Sequence, residues 1–294
     1  MLALMLIGAA QPATAAPAPI AAATPAADQG AQNALCQALG RRLKSVPATR
    51  CTGAGLKAAG GYSVQGRPLL VRDVTPKALP ATASNGAITR PPRVLLIGGI
   101  HGDELASVSI VFNWLSRMDT PEGKAFQWRV IPIANPDGLL NSPARRTNAN
   151  GIDLNRNFAS RDWPAQAQHY WSQNTHSDPR RNPGTTAASE PETRWLQKQV
   201  EDFRPDVIVS VHAPYGVLDF DGPTRKPPEH FGRLRLNRLG IYPGSLGNYA
   251  GMDRSIPVIT LEFPMAASMP KEAELNKVWG DMVQWMRNNV PPRG

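Results

Sequence analysis

Four short apolar runs, at residues 94–97, 128–133, 207–211 and 256–261, constrain this chain more than anything else in it. Each has the length of a buried strand, and the last three are rich in Val and Ile, whose branched side chains suit a pleated surface. Apolar residues recur at helical spacing in 33–43, 104–118, 190–203 and 271–289, so strands alternate with helices. That alternation predicts an α/β fold whose sheet is covered on both faces. Residues 62–74, with Gly66-Arg67-Pro68 in the middle, read as a β-hairpin ahead of the alternating part. A chain of 294 residues, 41% of them apolar, can bury a full core, and α/β enzymes of this size are ordinarily one domain.

The stretches 134–189 and 213–250 are polar and rich in Gly and Pro; loops of that length usually build sites. The N-terminus has another character. Residues 2–10 are apolar and Ala13-Thr14-Ala15 offers a small-x-small cleavage pattern, so residues 1–15 read as a signal peptide. Its basic start is missing, the first basic residue being Arg41. Ala and Pro dominate residues 16–31, which read as a linker, leaving 32–294 as the folded domain. No stretch approaches the ~20 apolar residues of a membrane helix. In an exported protein Cys36 and Cys51 can form a disulfide across a short loop; two buried free thiols are the alternative, and their spacing does not suit zinc. The 32 basic residues exceed the 23 acidic ones, giving +9, which favours polyanions such as an anionic cell wall. The basic residues are scattered and no DNA- or RNA-binding signature accompanies them, which argues against a nucleic-acid partner.

The chemistry concentrates where strands end. The run Val94-Leu95-Leu96-Ile97 leads through Gly98-Gly99-Ile100 to His101 and Glu104, at the carboxyl end of a strand where open α/β sheets place ligands. An imidazole and a carboxylate three residues apart can face one point, and both ligate zinc at ~2 Å. A second run ends on His212, which completes two histidines and a carboxylate, the ligand set of a catalytic zinc site with one open position. A third run delivers Glu262; a carboxylate ending an apolar strand is costly without a partner or a task. Each element alone is a weak signal. In order along residues 101–264 stand H-x-x-E, Asn135-Pro136-Asp137-Gly138, the stretch from Arg146 to Phe158 containing Asp153-Leu154-Asn155-Arg156-Asn157, then Ser210-x-His212 and Leu261-Glu262-Phe263-Pro264.

This ordered set resembles the zinc metallocarboxypeptidase family, of the carboxypeptidase A type. The resemblance implies a central mixed, mostly parallel twisted sheet flanked by helices, with residues 32–294 as a zinc peptidase catalytic domain. It implies one zinc ion on His101, Glu104 and His212, with Glu262 as general base. It also implies Arg146 on the scissile carbonyl, with neighbouring Arg145 the possible misassignment, and Asn155 and Arg156 on the free carboxylate of the substrate. Many members place a mobile tyrosine over the substrate; Tyr242 and Tyr249 both lie in the relevant stretch, and neither is assigned that role. The pattern most resembles the bacterial branch, which includes murein peptide amidases that cut between γ-D-glutamate and diaminopimelate. That implies an exported enzyme, periplasmic or secreted, acting on cell-wall peptide. Diaminopimelate carries an amine and a second carboxylate on its side chain, and Asp253 and Arg254 are the expected pair to read them. A general metallocarboxypeptidase, a zinc deacylase and a non-catalytic wall-binding module are the alternatives.

Overall fold

The computed structural model describes residues 25–76, 90–223 and 226–291. Nine strands among them form one sheet: β1 Lys57–Tyr62, β2 Pro68–Val74, β3 Arg93–Gly98, β4 Gln127–Ile131, β5 Val207–His212, β6 Val217–Asp221, β7 His230–Phe231, β8 Leu234–Leu236 and β9 Val258–Glu262. The helices are α1 Pro25–Arg42, α2 Ala48–Thr52, α3 Leu105–Trp114, α4 Pro136–Leu140, α5 Trp163–Asn174, α6 Pro191–Phe203 and α7 Glu272–Asn289. The strand order is β1-β2-β4-β3-β5-β9-β6-β8-β7. β4, β3, β5 and β9 are mutually parallel, while β2 and β6 join them antiparallel. The mixed sheet expected from the sequence is therefore present, but it is parallel mainly at its centre, the pairings towards both edges being mostly antiparallel.

Coverage of both faces follows from strand periodicity. In β3, Val94 and Leu96 enter one apolar core with Leu35, Val108 and Leu275 from α1, α3 and α7. Leu95 and Ile97 enter the other, with Leu196 and Val200 from α6. Because consecutive side chains are buried on opposite sides, the run has no polar face and reads as continuous apolar sequence.

At the N-terminus the structure corrects one boundary. α1 starts at Pro25, inside the stretch read as linker to residue 31. Pro is tolerated in a first helical turn and Ala is the best helix former, so the helix extends backward from the apolar spacing that begins at Asn33. Gln32 Nε2 anchors it on the Leu56 carbonyl at 2.9 Å. The expected signal peptide, 1–15, and the rest of the linker, up to residue 24, lie outside the described residues.

Cys36 in α1 and Cys51 in α2 are bonded, with a sequence separation of 15. Both are fully buried in the core shared by α1 and α3. Closing a loop of that length removes enough unfolded-chain entropy to contribute about 3 kcal/mol. Reduction, or Cys36→Ser with Cys51→Ser, is therefore expected to lower the unfolding free energy by about that amount in a urea titration.

Candidate metal centre and substrate pocket

β3, β5 and β9 are parallel neighbours, so their carboxyl ends lie at one edge of the sheet. His212 closes β5 and Glu262 closes β9 directly across the ladder from it. His101 follows β3, and Glu104 is the last residue before α3. His101 Nδ1 lies 2.7 Å from Glu104 Oε1, His212 Nδ1 lies 3.0 Å from Glu104 Oε2, and the two Nδ1 atoms are 3.2 Å apart. All three side chains are buried.

Two imidazole nitrogens meeting a carboxylate at these spacings fit a shared cation. Ligands at ~2.0–2.1 Å from one tetrahedral ion are themselves roughly 3.3 Å apart. The outer ring nitrogens are already engaged: His101 Nε2 with Asp153 Oδ1 at 3.1 Å, and His212 Nε2 with Ser210 Oγ at 2.9 Å. With the protons held on Nε2 by those oxygens, both Nδ1 lone pairs point inward, as metal ligation requires. Burial works against the Glu104 carboxylate, but the two imidazoles beside it, when protonated in the absence of a metal, hold it well below the usual carboxylate range.

Asp153 binds two functional groups at once. Besides His101 it accepts from Arg146 Nε through Oδ2 at 2.9 Å, and Arg146 Nη1 stands 3.7 Å from Glu104 Oε1. Arg145 turns elsewhere, donating to the Ala149 carbonyl, so Arg146 is the guanidinium that lines the cavity. Sequence reading quoted Asp153 without giving it a task; its signal was an acid between the apolar Ile152 and Leu154. Asp153→Asn is expected to weaken metal affinity about 10–100-fold, measured by competition with a chelator.

Glu262, Arg146, Asn155 and Arg156 line the same cavity as His101 and His212. Glu262 Oε2 is buried and has no hydrogen-bond partner among the described residues. Burial pushes its proton affinity up, His212 opposes this and Glu104 adds to it. Arg156 is 7% exposed, makes no ion pair within 4 Å among the described residues, and leaves its Nε without an acceptor. A buried guanidinium in that condition is matched to an incoming anion. Asn155 uses Oδ1 to accept from the Leu246 amide at 2.8 Å, leaving its amide N–H groups for a ligand.

A family model described as zinc carboxypeptidase matches residues 56–230. The chain belongs to the zinc carboxypeptidase family. Murein peptide amidase A of Vibrio campbellii is 31% identical over 226 residues, covering 74% of this chain and 83% of that protein. Murein peptide amidase A of Escherichia coli K12 is 28% identical over 204 residues, 65% of this chain and 79% of its own length. Among solved structures, murein-tripeptide amidase from Escherichia coli O157 superposes with TM-score 0.53 at 25% identity, over 80% of this chain and 92% of that one. Carboxypeptidase A from Helicoverpa armigera shares the fold, with TM-score 0.59 at 16% identity over 82% and 72% of the two chains. The family cofactor is one zinc ion, which the His101-Glu104-His212 cluster fits, so this zinc carboxypeptidase is a metallopeptidase.

The remaining wall of its cavity departs from the sequence expectation. Asp253 and Arg254 do not line it. Asp253 Oδ2 accepts from the Arg161 amide at 2.6 Å, and Arg254 lies 3.5 Å over the Tyr249 ring while donating to the Tyr249 carbonyl. Tyr249 itself is fully buried in the core, whereas Tyr242 lines the cavity with its ring 4.4 Å from the Arg156 guanidinium. Those two contacts separate the tyrosines that the sequence left undecided.

In place of Asp253 and Arg254 the zinc carboxypeptidase has Asp219 and Asp221 on β6. Val217 pairs with Glu262 and Asp219 with Thr260, so residues 217, 219 and 221 share the face of Glu262, while Leu218 and Phe220 enter the core. Burial, reinforced by the charge of Asp219 and opposed by Arg238, pushes Asp221 from 3.8 to about 7. Between those values the folded chain holds a proton that the unfolded chain has released, so stability falls as pH rises through the window. Asp221→Asn is expected to raise the unfolding midpoint relative to the parent at about pH 8, and to lose that advantage below about pH 4.

Proposed function

We propose that the chain hydrolyses the γ-D-glutamyl-diaminopimelate bond of cell-wall peptides, releasing the carboxyl-terminal diaminopimelate outside the cytoplasm. The observation that carries this reading is one cavity lined by His101, His212 and Glu262, by the Arg156 guanidinium, which forms no ion pair among the described residues, and by the carboxylates of Asp219 and Asp221. Such a cavity suits a departing residue with a free α-carboxylate and a cationic side chain. The murein peptide amidases among its relatives support the wall peptide. A disulfide supports an oxidising compartment, and no helix among the described residues is long and apolar enough to cross a membrane.

In this reading His101, Glu104 and His212 hold zinc, which supplies Lewis acidity and lowers the pKa of a water molecule to about 7. Asn155 and Arg156 grip the terminal carboxylate, which fixes the scissile carbonyl beside Arg146. Glu262 takes the proton of the attacking water and passes it to the departing amine nitrogen. Arg146 supplies positive charge where the oxyanion develops, and its bond to Asp153 keeps it aimed there. The catalytic domain takes in helix α1 from Pro25 onward, and an export signal precedes it.

Incubating zinc-loaded protein with L-Ala-γ-D-Glu-meso-diaminopimelate and, separately, with ordinary peptides ending in Lys, Arg or Leu tests the substrate. Release of diaminopimelate at higher kcat/KM than any ordinary residue is expected. Faster cleavage of the ordinary basic peptides would instead make this a general metallocarboxypeptidase of basic preference.

A further inference from the structure

Two cavities meet at Asp221. One is lined by His101, His212, Glu262 and Arg156 and measures about 180 Å³; the other, about 350 Å³, is lined by Arg238, Ile241 and Met252, and Asp221 and Gly240 border both. Gly247 makes the shared wall possible, because a Cβ there would sit 1.9 Å from Asp221 Oδ2.

The carboxylates at this wall form no salt bridge among the described residues, and Arg238 acts on them only at longer range. Asp219 is 5% exposed, and its Oδ1 accepts from the amides of Phe220 and Leu239 while Oδ2 has no donor among the described residues. Asp221 has neither a hydrogen-bond donor nor an ion pair among them. Two neighbouring carboxylates without a counter-ion are unfavourable in the free protein and become favourable when an ammonium group enters. Arg238 is the second half of the pattern. It is exposed, forms no salt bridge among the described residues, and stands close enough for its charge to act on both carboxylates. A guanidinium beside an ammonium site would repel a simple amine, so its position makes sense when the ligand brings a carboxylate as well.

We infer that Asp221 and Arg238 read the end of the departing side chain as a pair, Asp221 receiving an ammonium group and Arg238 a carboxylate borne on the same carbon. Asp219 adds negative charge on the ammonium side. The pocket thereby selects a side chain that ends in a zwitterion over one that ends in an amine alone. This rests on the wall-peptide reading for the identity of the ligand, since meso-diaminopimelate is the wall residue whose side chain ends in that way.

Calorimetric titration of the zinc-loaded full chain with free meso-diaminopimelate and with free L-lysine tests the pair without requiring turnover. The parent protein is expected to bind diaminopimelate at least about tenfold more tightly than lysine. Arg238→Ala removes that preference, weakening diaminopimelate while lysine, relieved of the repulsion, binds more tightly, whereas Asp221→Asn weakens both ligands. Equal affinities in the parent, no measurable binding of either, or an Arg238→Ala variant that keeps the preference would overturn the inference. The two readings fail separately. If the wall tripeptide is not cut but the Arg238-dependent preference holds, the proposed reaction falls and the pocket stands; a tripeptide that is cut with no effect of Arg238→Ala gives the converse.

Discussion

Glu262→Gln is expected to lower kcat on the wall tripeptide by about 10²–10⁴-fold while zinc content stays at one ion per chain. Gln keeps the size and one hydrogen-bonding oxygen of the side chain, so packing at the end of β9 is preserved. What it removes is the ability to take a proton. Glu262 is suited to that task because its Oε2 is buried without a partner among the described residues and because burial makes it more basic than an ordinary carboxylate. The register of β5 and β9 sets His212 directly opposite Glu262, which keeps the carboxylate beside the cluster. A variant that kept most of its kcat would move the proton-transfer role to another group. Steady-state kinetics paired with elemental analysis distinguishes that from loss of the metal.

Arg156→Ala is expected to raise KM by roughly two orders of magnitude or more, since breaking a buried, charge-assisted pairing with a carboxylate typically costs 2–5 kcal/mol. The guanidinium is 7% exposed, stacked on Tyr242 and free of any ion pair among the described residues, so the chain has organised it at a cost that only an anionic ligand offsets. The discriminating comparison is a substrate whose terminal carboxylate has been converted to an amide. The parent enzyme should lose most of its kcat/KM on that substrate, while Arg156→Ala should treat acid and amide nearly alike. If the variant still preferred the free acid as strongly as the parent, the carboxylate would be bound elsewhere.

The three clustered residues and Glu262 were legible because they stand at, or a few residues after, the ends of apolar runs. A buried parallel strand declares itself as continuous Val, Ile and Leu, and a polar residue at its carboxyl end stands out against that background. His212 and Glu262 are placed by that logic, and His101 by the Gly98-Gly99 turn after β3. β6 was missed for the opposite reason. Its five residues lie between Pro214-Tyr215-Gly216 and Gly222-Pro223 inside a stretch that reads as loop, and a strand that short carries little periodic signal. The signal was nevertheless there, in the alternation Val217-Leu218-Asp219-Phe220-Asp221, which puts both acids on one face. Asp253 and Arg254 failed as pocket residues because they were chosen for closeness in sequence. The turn at Gly247–Met252 buries Tyr249 and carries Arg254 onto its ring, so the charges point away from the cavity. Helix α1 began earlier than expected because Ala-rich sequence reads as linker by composition yet extends a helix once a packed segment nucleates it.

The most direct test is zinc analysis of the purified full chain together with hydrolysis of L-Ala-γ-D-Glu-meso-diaminopimelate before and after chelation. One zinc per chain, release of free diaminopimelate, loss of that release on chelation and its return with added zinc are the expected results. A protein that binds no zinc, or whose hydrolysis is unaffected by removing it, would contradict the assignment of His101, Glu104 and His212 as the catalytic metal centre.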